Sequence, residues 1–178
     1  MENLLNIFHL SGKVAIVTGG AEILGGSIAM FLGKASAKVA VCDITDFSNI
    51  IKDFKKEGIG VAGYYIDVLD RKQIISCHNM VINDFGKIDI IVNAAEGNLK
   101  DATTLDELSF FDLKLDAPQR VIALNLFGGA ILPAQIFGKT IAENKEGGSI
   151  INKMKHTKLE IMQPSLHFQA REDVCLLS

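Results

Sequence analysis

The chain has 178 residues, 48% of them hydrophobic and 22% charged, with a net charge of −3. That supports one globular domain with a sizeable core and excludes a disordered chain. The slightly acidic balance provides no basic footprint for nucleic acid or an anionic membrane surface. Three scattered cysteines, Cys42, Cys77 and Cys175, speak against a disulfide framework or a zinc site and suit a reducing, cytoplasmic setting. The first residues carry no basic region ahead of an apolar run, so no secretory signal is expected. No apolar run approaches the roughly 20 residues of a membrane span.

In chain order, residues 1–12 read as a lead-in, with Ser11-Gly12 turning into a first strand at 14–18. That strand is a continuous apolar run, as expected where both faces are covered in a parallel sheet. A glycine-rich turn follows, then a helix whose spacing places Leu24, Ile28, Phe31, Leu32 and Ala35 inward. Residues 38–42 form a second buried strand ending at Asp43. A polar helix over 46–57 presents Ile50, Ile51 and Phe54 to the core. A third strand, 60–66, leads to Asp67-Val68. Asp70 caps the next helix, whose apolar stripe includes Ile74, His78, Val81 and Phe85, and Gly86 closes it. The fourth strand is 88–92. A long helix from 118 to 144 carries an internal Pro133 that predicts a kink. Gly147-Gly148 turns into a fifth strand at 149–152. Strands alternating with helices in this way predict a doubly wound, parallel α/β sheet of Rossmann-like form.

The turn Thr18-Gly19-Gly20-Ala21-Glu22-Ile23-Leu24-Gly25-Gly26 lies between strand and helix, the context required of a phosphate-binding loop. Glycines there let backbone N–H groups approach a pyrophosphate at the positive end of a helix. Asp43, with Ile44 beside it, stands where an acid accepts hydrogen bonds from the adenosine ribose. A carboxylate would repel a 2′-phosphate, which favours NAD over NADP. Asp67 and Val68 are candidates for the adenine edge, and Asn93-Ala94-Ala95 for the wall beside the cofactor. The alternative is a purely structural glycine turn with a solvated acid and a small-residue packing turn. His156 and His167 have no partners at ligand spacing, so no metal site is expected. His78 reads as a structural histidine.

Together TGGxxxLGG, the acid after the second strand, Asp67-Val68, DIIVNAA at 89–95 and Asn125 resemble the short-chain dehydrogenase/reductase family over residues 11–152. NAAEGNLKDATT, FFDL and LNLFGG are similar to its sugar-acid branch, of the fructuronate reductase or mannonate oxidoreductase type. The resemblance implies hydride transfer between NAD and a sugar acid or related hydroxy or keto compound. It also implies a serine and a tyrosine-lysine pair at the substrate, with Asn125 completing a proton relay. A phenol of pKa about 10 needs a nearby cation before it can act as a base at neutral pH.

The pattern then breaks. The serine positions hold Met154 and Lys155, the tyrosine position Phe168, and the lysine position Glu172. Ala94 replaces a family asparagine or glycine and Glu96 a family glycine beside the nicotinamide, Glu96 reading as a loop carboxylate turned to solvent. Ser36 stands where glycine caps the first helix in the family. Ser149 reads as a turn hydroxyl. The organisation expected is an NAD-binding domain over 1–152, incomplete at its C-terminal end, and an irregular tail over 153–178, as in a truncated or frameshifted reductase. An exposed fifth strand would favour association, including with a second copy. The alternative function is an inactive or partner-dependent nucleotide-binding module.

Overall fold

Val14–Thr18 (β1) is buried along its whole length, as a run of mostly β-branched residues requires when both faces of a strand are covered. The computed structural model describes residues 8–104, 108–162 and 165–177, with side chains described through residue 153. β1 pairs in parallel with Lys38–Asp43 (β2), and β2 in parallel with Val61–Tyr65 (β3). On its other side β1 pairs in parallel with Ile90–Asn93 (β4), and β4 with the start of Ser149–Met162 (β5). The order β3-β2-β1-β4-β5 is the doubly wound arrangement expected. Its winding reverses between β1 and β4, which opens a crevice at the carboxyl ends of those strands.

Helices cover both faces. Ile23–Lys34 (α1) and Ser48–Lys56 (α2) lie over one layer of core, centred on Val17, Val39, Val41, Phe54 and Val92. Arg71–Phe85 (α3) and Leu132–Glu143 (α5) lie over the other, centred on Ile16, Ile66, Ile74, Ile91 and Phe137. Asp70 caps α3 by accepting from the Lys72 and Gln73 N–H groups, and Gly86, at φ +82°, ends it, both as expected. Tyr64 Oη donates to Asp84 Oδ2 at 2.6 Å, tying β3 to α3. Burial, then the bond to Asp84, pushes the Tyr64 phenol well above its ordinary range. His78 bonds Thr140 Oγ1 at 2.7 Å and lies against the Phe137 ring, which joins α3 to α5.

Three elements differ from expectation. Apolar spacing puts Phe31 inward, yet Phe31 is 74% exposed, and the packed face of α1 is Gly25, Gly26, Ala29 and Gly33. Small residues win because the helix backbone itself approaches the sheet and Ile59, where a Cβ on Gly33 would collide. The single kinked helix is instead Asp116–Ile122 (α4), a π-helical stretch over Ala123–Ile131, and then α5, with Pro133 in its first turn. Proline has no N–H to close an α-helical bond four residues back, and the wider turn precedes it. The combined run Asp116–Glu143 has 28 residues, and an 18-residue stretch within it reaches a mean hydropathy of 1.7, so it is long and apolar enough to cross a membrane by length and composition. Run length alone misses this. In the fold Gly128, Ala130, Phe137 and Ile141 of this run are buried.

Periodicity predicts no regular element beyond residue 152. The backbone instead continues β5 to Met162, and Ser165–Leu177 (β6) returns antiparallel along it, Ile150 opposite Leu177 and Met162 opposite Ser165. Such a ladder is held by main-chain hydrogen bonds, which side-chain spacing does not report. β5 therefore has neighbours on both sides, and β6 takes the edge expected of the fifth strand.

Ser36 is the only non-glycine residue at positive φ among the described residues, at φ +78°, closing α1. An L side chain there costs roughly 1 kcal/mol. Ser36→Gly is expected to raise the unfolding free energy by about that amount, read from the urea midpoint. An unchanged or lowered midpoint would show that the position carries no strain.

Candidate dinucleotide-binding site

The site is built where β1 ends. Thr18 is fully buried, and its Oγ1 accepts from the backbone N–H groups of Ala94 and Ala95, each at 3.2 Å. Gly19 then turns at φ +64°, and a Cβ on it would lie 2.8 Å from the backbone of Ala94 and Ala95. Gly25, in the first turn of α1, faces the Gly19 carbonyl so closely that a Cβ there would overlap its oxygen. Gly20 donates to the Cys42 carbonyl at 3.2 Å. The two glycines thus bring the ends of β1, β2 and β4 and the start of α1 to one point, and the helix N-terminus opens toward the crevice.

Asp43, 5% exposed at the end of β2, holds this turn in place. Its Oδ2 accepts from Ala21 N–H, and its Oδ1 from both the N–H and the hydroxyl of Thr45, all at 2.9 Å. A carboxylate offers about four acceptor positions, so Thr45 and Ala21 leave one direction of Asp43 open. Asp67 turns the next loop, its Oδ1 accepting from Leu69 N–H at 2.9 Å.

A cavity of about 300 Å3 runs along the strand ends. Six residues singled out from the sequence line it: Gly19, Asp43, Ile44, Asp67, Val68 and Ala95. Thr18, Asn93 and Ala94 lie buried beneath, and Gly20 and Gly25 shape the turn from behind. Ile23, 92% exposed, and Leu24 are not among the lining residues. Sequence reading missed Glu22, Cys42, Thr45, Ile66, Leu69, Glu96 and Leu124 as lining residues. Glu22 and Thr45 sit within the turn and just past the strand end already identified, so their position was the available signal. Among the described residues the charged lining residues, Glu22, Asp43, Asp67 and Glu96, are all acidic.

At the β4–β5 end, Asn93 Nδ2 donates to Asn152 Oδ1 at 2.7 Å, and the two residues are in register. Glu96 does not turn to solvent. Its Oε1 meets Lys153 Nζ at 2.7 Å, with side chains only 18% and 9% exposed. Asn125, in the π-helical stretch, accepts from Gly97 N–H through Oδ1 at 2.9 Å and so bridges helix and loop. Ser149 opens β5 and its N–H donates to the Asp89 carbonyl. The side chains of Met154, Lys155, Phe168 and Glu172 lie outside the described residues. Among the described residues no cluster of three or more His, Cys, Asp or Glu groups is placed to hold a metal.

The family model of short chain dehydrogenases matches residues 13–154. The chain belongs to the short-chain dehydrogenase family. An uncharacterized oxidoreductase of Haemophilus influenzae is 32% identical over 167 residues, covering 85% of this chain and 58% of that protein. An uncharacterized oxidoreductase of Bacillus subtilis is 32% identical over 154 residues, covering 81% of this chain and 55% of that protein. Among solved structures, a putative D-mannonate oxidoreductase from Haemophilus, crystallised with NAD, superposes with a TM-score of 0.70 at 30% identity, covering 77% of this chain and 53% of that one. This short-chain dehydrogenase chain spans a little over half the length of the curated relatives it matches.

The glycine geometry gives a direct test. Gly25→Ala should weaken binding of NADH by at least about tenfold, since the added methyl forces the Gly19 carbonyl out of the cradle. Titration calorimetry on folded protein, verified by circular dichroism, reads this. Unchanged affinity would mean the turn is not the phosphate site.

Proposed function

We propose that this chain binds NAD, in preference to NADP, and serves an oxidoreductase acting on a sugar acid or a related hydroxy or keto compound. The observation that carries the cofactor reading is the acidic lining: Asp43 and Glu22 share one cavity with Asp67, and among the described residues no basic one lines it. A 2′-phosphate carries additional negative charge and would meet carboxylates where an adenosine ribose offers hydroxyl donors. The open acceptor direction of Asp43 suits such a donor, with Thr45 and Ala21 fixing the carboxylate from the other sides.

The residues fit a dinucleotide in the order the fold presents them. Asp43 and Ile44 would take the adenosine ribose, and Asp67 and Val68 the adenine edge. The Gly19–Gly25 turn would take the pyrophosphate at the N-terminus of α1, where unpaired N–H groups favour an anion. Asn93, Ala94 and Ala95 would form the wall beyond it, held by the Thr18 hydroxyl. NAD supplies hydride transfer chemistry when bound. This chain's own residues bind the cofactor, orient it and line the crevice. Asn125 is proposed as a contributor to proton transfer, in addition to its bond to Gly97. The sugar-acid assignment is supported by the NAAEGNLKDATT, FFDL and LNLFGG segments and by the similarity to the Haemophilus structure, itself described as a putative D-mannonate oxidoreductase.

Calorimetry with NADH and NADPH tests the cofactor preference. NADH should bind the tighter, and Asp43→Ser should shrink the NADH:NADPH affinity ratio by about tenfold, roughly the worth of one lost charge-assisted bond together with one relieved repulsion. Tighter binding of NADPH by the unaltered chain would overturn the assignment. Incubation with NADH and a panel of keto sugar acids, followed by absorbance of the reduced cofactor, tests the activity. Loss of absorbance with a keto acid supports it, and none with any member of the panel rejects catalysis by this chain.

A further inference from the structure

Among the described residues the ion pair between Glu96 and Lys153 has no counterpart at the Asp43 end of the cavity. It bridges the carboxyl ends of β4 and β5, directly beyond the Asn93–Asn152 amide bond, with both side chains largely withdrawn from water. Glu96 itself lines the cavity beside Ala95 and Leu124, at the end away from Asp43. A dinucleotide with its adenosine ribose at Asp43 and its pyrophosphate at Gly19 sends its remaining half across β1 toward β4, because the crevice runs to the winding reversal between those strands. That half ends in the nicotinamide ring. The ring is cationic when oxidised and neutral when reduced.

From this geometry we propose that Glu96 and Lys153 set which oxidation state of the nicotinamide the site favours. This rests on the dinucleotide reading above. Two opposite charges 2.7 Å apart nearly cancel at a distance. Glu96, the member of the pair that lines the cavity, stabilises a cationic ring, and the Lys153 ammonium moderates that attraction. Low exposure keeps both effects from being screened as they would be in water. The pair also anchors the loop after β4 to β5, so it fixes the distance at which its charges act. Glu96 and Lys153 are specificity-determining residues, and the quantity they control is the ratio of NAD+ to NADH affinity.

The two members act in opposite directions, which separates charge from structure. Calorimetric titration of the full chain with NAD+ and with NADH is expected to show Glu96→Gln lowering NAD+ affinity relative to NADH by roughly fivefold, and Lys153→Met raising it by a similar factor. The double variant should return close to the original ratio. A general loss of stability would weaken both cofactors alike and leave each ratio unmoved. Ratios that stay within twofold in both single variants, or that move the same way, overturn the proposal while cofactor binding persists. If the unaltered chain binds neither form, the dinucleotide reading fails first and this proposal falls with it.

Discussion

The backbone approach at Gly19 is the constraint on which the rest of the site depends. Three segments far apart in the chain meet there: the turn after β1, the start of α1 at Gly25 and the turn after β4 at Ala94 and Ala95. No side chain fits between them, and the contact is held from below by one buried hydroxyl, that of Thr18. Because the contact is between backbones, it leaves N–H groups facing the crevice and not a layer of apolar side chains. A helix start next to an acid at a strand end follows from this packing, and the proposed pyrophosphate site rests on that helix start.

Asp43 has a structural duty that its proposed ligand role conceals. It is almost fully buried and already accepts three hydrogen bonds from Ala21 and Thr45. Those bonds tie the glycine turn to the end of β2, so the acid shapes the loop it stands beside. At the opposite end Asn93, Asn152, Glu96, Lys153, Asn125 and Gly97 form paired polar contacts that connect β4, β5 and the π-helical stretch. The cavity is thus bounded at both ends by polar groups with assigned partners, and its apolar floor lies between.

The doubly wound sheet and the turn were legible in the sequence because each rests on local chemistry: a buried strand reads as a β-branched run, and a backbone crossing reads as glycine. Asp43, Asp67 and the Asn93 turn could be placed at strand ends for the same reason. What escaped were features decided by distant partners. Phe31 fits the helical stripe, yet Gly33 takes the packed position because Ile59 arrives from another element. Glu96 reads as a surface carboxylate until Lys153 is placed opposite it, 57 residues later. The π-helical turn needs Pro133 and close packing at Gly128 together, and the pairing of β5 with β6 leaves no trace in side-chain period.

The strand order also has a meaning in time. β1 is the first described strand and an inner one of the sheet, flanked by β2 and β4. Its partner on one side begins with Lys38, but on the other side Val14 waits for Asp89, 75 residues further on. A ribosome releasing this chain therefore delivers β1, β2 and β3 well before β4 exists. Through that interval the strand destined to be most deeply enclosed has an open edge, the geometry that invites pairing with another nascent chain. The site at Gly19 is completed only when Ala94 and Ala95 emerge, so the pocket is the last thing this half of the sheet acquires.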